Sequence, residues 1–176
     1  NGYDILKEPL EAKKQFGYVS SDPITYETMT GKEYLEFIAS AYRLDKDTFF
    51  TNYERLINLF SLSLVDLNRK IKEYSHGMKQ KICLIASLIH NPSIWILDEP
   101  TVGLDIITSD VLTNLFKQFK NENKTVFITS HNIDLIKKVA DRVAIIKDGL
   151  ILKLIDLNLE KEARENLDQI FLEIYK

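Results

Sequence analysis

Short apolar runs that stop abruptly at polar residues recur along the chain, and each predicts a buried strand: Gly17-Tyr18-Val19, Ile94-Trp95-Ile96-Leu97, Thr125–Thr129 and residues 143–146. Between them the apolar positions fall three and four apart, which predicts helices over residues 31–43 and 47–61. Further helices follow Gly77 (Ile82, Ile85, Ala86, Ile89), Asp105 (Val111, Leu112, Leu115, Phe116, Phe119) and Asn132, with a last one near Leu167–Tyr175. Strands that alternate with helices in this way predict an α/β protein with a parallel sheet, here interrupted by a helical insert. Asp148-Gly149 predicts a tight hairpin into Ile151-Leu152.

Polar residues at the ends of these elements carry the candidate chemistry. Asp98 and Glu99 end the run 94–97, and the carboxyl ends of parallel strands are where such sheets bind ligands. The two acids therefore point to a metal-bound phosphate, the alternative being a strand that stops at a polar turn. Ser75, in Tyr74-Ser75-His76-Gly77-Met78, is placed to cap the helix after Gly77 and to offer N–H groups to an anion. Read alone, it is only a cap. Asp105 similarly precedes a helix, and His131 follows the strand Thr125–Thr129. Thr30-Gly31-Lys32-Glu33 has capping-box spacing and starts the first helix of the insert.

Composition removes other classes. A net charge of −3, from 23 basic and 26 acidic side chains, leaves no basic stripe for nucleic acid. The single cysteine, Cys83, cannot form an internal disulfide and sits among apolar residues, so a buried thiol in a reducing compartment is expected. The longest apolar run, residues 82–89, is far below the roughly 20 residues that span a bilayer. No repeat or metal-ligand cluster is visible.

In order and spacing, the Ser75-x-Gly77 loop, Asp98-Glu99-Pro100-Thr101, Gly103-Leu104-Asp105 and Ser130-His131 resemble the ATP-binding cassette family from Gly2 to the C-terminus. The resemblance implies a P-loop NTPase (RecA-like) parallel-sheet core, 1–23 and 91–155, with a helical subdomain 24–90 that carries the signature loop, and a C-terminal helix 156–176, all one domain. It implies ATP and Mg²⁺ as cofactors, with Asp98 holding the metal. Glu99 would act as general base and His131 as the switch histidine on the γ-phosphate, while Ser75, His76 and Gly77 face ATP held by a second cassette in a head-to-tail dimer and Asp105 links the two sites. Separate transmembrane permease subunits are implied partners, nucleic acid is not, and the expected location is the cytoplasmic face of a membrane.

Three departures bear on function. No Gly-x₄-Gly-Lys-Ser/Thr string occurs, and Gly31-Lys32 is followed by Glu33, so the chain is expected to be a fragment that lacks the first strands and the P-loop, and to bind ATP poorly or not at all. A sheet without those strands would leave an exposed face or edge. Gly2-Tyr3-Asp4-Ile5 resembles the strand after the P-loop helix. In the signature loop, Tyr74, His76 and Met78 replace a leucine, a glycine and a glutamine, and the His76 imidazole either aids phosphate binding or points to solvent. Ser21 stands where cassettes carry a glutamine after the first strand. It is too short to bridge Mg²⁺ and the permease groove, a gap that water or Asp22 would have to fill.

Ser-x-Gly-Met-Lys-Gln and residues 29–35 look like cassettes that power exporters of drugs, antibiotics, bacteriocins or lipids. A soluble ATPase of translation or DNA repair, or a regulatory cassette without catalysis, are the alternatives.

Overall fold

Residues 1–175 are described by a computed structural model of the chain, in two units, Asn1–Thr129 and a second that begins at Ser130. The first unit is built on a three-stranded parallel sheet in the order β1 (Phe16–Val19), β2 (Ile94–Asp98), β3 (Thr125–Thr129). The register sets Val19 beside Leu97 and pairs Asp98 with Thr129, so all three strands end at one edge. The predicted parallel core is therefore present, and the acids of residues 98–99 lie at its carboxyl end.

Six helices accompany the sheet in this unit: α1 (Pro9–Lys14), α2 (Gly31–Ala41), α3 (Lys46–Leu59), α4 (Leu64–Leu67), α5 (His76–Leu88) and α6 (Ile106–Asn121), with a 3₁₀ turn at Ile71–Glu73. Helix α2 starts where the capping box predicts. The Thr30 side chain accepts from Glu33 N at 3.2 Å, and Thr30 N donates to the Glu33 carboxylate at 2.8 Å. Both α2 and α3 end earlier than their apolar periodicity suggests, because Arg43 and Ser61 adopt positive φ and break the helical run.

Helix α5 is the buried centre of the unit, with Ile82, Leu84 and Ile85, and Ile89 at its C-terminal cap, fully enclosed. It lies so close to β1 that a Cβ on Gly17 would come 2.1 Å from the Ser87 carbonyl oxygen. Trp95 of β2 is buried against Phe116 and Phe119 of α6, with ring centroids 5.6 and 5.3 Å away, and its indole N–H donates to Ser87 Oγ at 2.9 Å. Cys83 is a buried free thiol, as expected, and burial pushes it up to about 11. The opposite face of the sheet is open: Tyr18 and Phe127 are 56% and 58% exposed.

The second unit holds α7 (Ile133–Val139), a two-stranded antiparallel sheet of β4 (Arg142–Lys147) and β5 (Leu150–Asp156), α8 (Lys161–Glu165) and α9 (Leu167–Tyr175). Its core gathers Ile145, Ile155, Leu157 and Leu167, packed by Ile136, Phe171 and Ile174. The Asp148-Gly149 hairpin is as predicted, both residues having positive φ.

Two expectations fail. Residues 143–146 belong to this hairpin sheet and not to the parallel one. A short apolar run reads the same in either setting, and the two-residue turn commits β4 to its sequence neighbour. Gly2-Tyr3-Asp4-Ile5 is not a strand: the Asp4 carboxylate accepts from Leu6 N at 2.8 Å, which turns the chain into α1.

Candidate active site

Strand β2 delivers Asp98 and Glu99 as its last residue and the one after. Both are half-buried. Thr129, level with Asp98 on β3, donates its hydroxyl to the Asp98 carboxylate and orients it. Glu99 has φ +46°, a left-handed conformation that costs a non-glycine residue about 1–3 kcal/mol and concentrates at functional sites. Its N–H donates to Thr129 O at 3.0 Å, and its carbonyl accepts from Val102 N at 3.2 Å, so the chain leaves the strand in a tight turn. A second turn, Leu104 N to Thr101 O at 3.3 Å, brings it to Gly103, at φ +76°.

The loop before α5 meets this turn. Ser75 caps α5, accepting from Met78 N at 3.2 Å, and is exposed. Gly77 is close enough to residue 103 that a Cβ on it would lie 3.1 Å from the Gly103 carbonyl oxygen. The His76 ring occupies the space beside Gly103 where a side chain would go: a Cβ there would be 2.4 Å from its Cδ2 and 2.9 Å from its Nε2.

Asp105 caps α6 and accepts from Thr108 N at 2.7 Å and from the Thr108 hydroxyl at 2.9 Å; Lys81 of α5 pairs with it at 3.2 Å. The Thr108 N–H foremost, then its hydroxyl and Lys81, holds the Asp105 carboxyl down at about 2. The carboxylate is thus an anion at every ordinary pH.

The structure thereby brings Asp98 and Glu99 together at one strand end, sets His76 and Gly77 beside Gly103, and ties Asp105 to α5 through Lys81, while Ser75 caps that helix. Ser21 lies just beyond β1 at the same edge of the sheet, half-buried in a bend where Ser20 Oγ donates to Asp22 O at 2.5 Å. His131 belongs to the second unit. It sits in a turn closed by Asn132 N to Ser130 Oγ at 3.1 Å, directly before α7, which Asn132 caps through Leu135 N at 3.0 Å.

Sequence reasoning missed Thr129 and Lys81. Pairing them with Asp98 and Asp105 needs the strand register and the approach of α5 to the residue that caps α6, neither of which is local in sequence. The left-handed turn at Glu99 was also unmarked, since no glycine or asparagine stands there.

Among the described residues no group of three or more His, Cys, Asp and Glu side chains could hold a metal ion. One oriented carboxylate at a strand end fits Mg²⁺, which takes one or two carboxylates and otherwise keeps water and phosphate oxygens. Among the described residues no helix is long and apolar enough to cross a membrane.

Together, a parallel sheet with an acid pair at its carboxyl end and a capped helix presenting Ser75 form an α/β fold consistent with a partial P-loop NTPase core, with the P-loop string itself absent from these 176 residues. Comparison with known families matches residues 2–102 to the family described as ABC transporter. The ABC transporter ATP-binding protein NatA of Bacillus subtilis (strain 168) is 32% identical over 175 residues, covering 98% of this chain and 71% of NatA. The lantibiotic transport ATP-binding protein SrtF of Streptococcus pyogenes is 30% identical over 158 residues, covering 90% of this chain and 65% of SrtF. A solved structure described as the ATP-binding subunit of an ABC transporter superposes with a TM-score of 0.91 at 26% identity, over all of this chain and 75% of that one. The chain belongs to the ABC transporter family.

Proposed function

We propose that this chain is the part of an exporter's ATP-hydrolysing subunit that supplies the acid, the imidazole and the signature loop, the 176 residues forming one ATPase domain whose segment 24–90 carries Ser75. The observation that carries the reading is the Asp98-Glu99 pair at the end of β2, with Asp98 oriented by Thr129 and Glu99 turned out of the strand in a strained conformation.

Asp98 would hold Mg²⁺, which when bound neutralises charge on the phosphates. Glu99 would accept the proton of the attacking water and orient it in line with the γ-phosphate, and His131 would hydrogen-bond that phosphate. Ser75, His76 and Gly77 would face the ATP of a second cassette in a head-to-tail dimer, with Asp105 linking the two sites. Ser21, in place of glutamine, makes the link to separate permease subunits at the cytoplasmic face of a membrane depend on a water or on Asp22. SrtF's name, lantibiotic transport, supports export over a soluble ATPase of translation or DNA repair.

The 176 residues alone carry no Gly-x₄-Gly-Lys-Ser/Thr string and so should bind ATP weakly. Titration of the chain with a fluorescent ATP analogue is expected to give a dissociation constant of about 1 mM or weaker, and about 10 μM or tighter would overturn this. In the full-length parent, Glu99→Gln should keep ATP bound while kcat falls by about two to four decades. An unchanged kcat would remove Glu99 from the chemistry, and a parent without nucleotide binding would favour a regulatory cassette.

A further inference from the structure

His76, the first residue of α5, is exposed, yet its ring is in contact with the 101–105 loop. It lies against Gly103, in the volume a side chain at 103 would need, and a Cβ on Gly77 would come 3.1 Å from the Gly103 carbonyl oxygen. Gly103 lies in the second of the two successive turns that lead from Glu99 to Asp105, with φ +76°. Five residues along α5, Lys81 reaches the other end of the same loop and pairs with Asp105. Two contacts from one helix thus grip both halves of a five-residue loop.

Their consequences differ. The Lys81–Asp105 pair is partly exposed, so it is worth at most about a factor of five in an equilibrium. The imidazole is a flat, rigid body that fills space, and a methyl group in its place would leave Gly103 without the wall that the ring gives it. Turns held by single hydrogen bonds of 3.2 and 3.3 Å, Val102 N to Glu99 O and Leu104 N to Thr101 O, open readily without such a wall.

We propose that His76 is a positioning residue: its ring clamps the 101–105 loop to the N-terminus of α5, so that Ser75 and Asp105 are presented as one rigid edge and the turn that aims Glu99 is held. The mechanical part stands on the contacts above; its effect on hydrolysis rests on the function proposed for this chain.

The test has two arms. In the 176-residue chain, amide hydrogen exchange is measured for wild type, His76→Ala and His76→Phe. Val102 and Leu104 should exchange about tenfold faster in His76→Ala, with α6 unchanged, and return to wild-type rates in His76→Phe, which restores a flat ring. Unchanged exchange in His76→Ala, or an equal rise along the whole of α5, overturns the clamp.

In the full-length parent, His76→Ala should lower kcat about tenfold, with kcat recovered in His76→Phe. A raised KM at unchanged kcat would mean that the imidazole binds nucleotide and does not position the loop, which overturns the proposal. A wild-type parent without ATPase activity would refute the function while the exchange arm still decides the clamp.

Discussion

Replacing Gly17 by alanine tests the closest approach in the first unit. A Cβ at 17 would sit 2.1 Å from the Ser87 carbonyl oxygen, 3.0 Å from its carbon and 3.3 Å from Pro92 Cγ. Carbon and oxygen in a favourable contact stay about 3.3 Å apart, so β1 and the last turn of α5 must separate by roughly 1.2 Å. The obstacle is backbone inside a helix, and no rotamer change relieves it. A gap of that size forfeits a quarter to a half of the dispersion energy along the seam, beyond the usual 1–3 kcal/mol of overpacking, so a loss of about 3 kcal/mol or more is expected.

Trp95 is the only tryptophan, is fully buried, and is hydrogen-bonded to Ser87 itself, so its fluorescence during urea unfolding reports this seam. Gly149→Ala is the control: it meets nothing within 4 Å but has φ +76°, and should cost about 1 kcal/mol through the backbone alone. Should Gly17→Ala unfold within about 1 kcal/mol of wild type, the seam is softer than this geometry requires and the argument fails.

Two further outcomes concern pH. Asp105 has a carboxyl held at about 2 in the folded chain, so its contribution is complete above the unfolded carboxylate value near 4 and is lost as pH falls toward 2. Asp105→Ala should cost about 1 kcal/mol at pH 7 by removing the α6 cap, and acid unfolding curves of mutant and wild type should converge between pH 4 and 2; a constant gap would deny the charge its role. His90 is stacked on Tyr42 with ring centroids 3.6 Å apart, its Nε2 lies 3.2 Å from Phe16 O, and burial pushes it down to about 4. The neutral ring is the form the fold accepts, so stability should fall as pH drops from about 6.5 to 4, and His90→Leu should flatten that part of the stability–pH curve. An unaltered curve would place the titration elsewhere.

Which elements were legible follows from how far apart their determinants lie. The caps Thr30, Ser75 and Asp105 each act on an amide three residues ahead, and the structure contains all of them as read. The Asp148-Gly149 turn is likewise a two-residue device. Even α1, which went unread, carried a local signal in Pro9 at the first helical position. By contrast, residues 143–146 offered an apolar run without a partner, and the identity of the partner strand is a property of the fold.

By itself, then, the sequence determined the family, the starts of α2, α5 and α6, the acids at the end of β2 and the absence of a P-loop string from these residues, because each is written in neighbouring positions. Only the tertiary structure decided that Thr129 orients Asp98, that Glu99 leaves its strand left-handed, and that His76 fills the space beside Gly103. Those contacts join residues 27 to 31 positions apart, and it is the register of a parallel sheet and the approach of α5 to the 101–105 loop that bring them within reach.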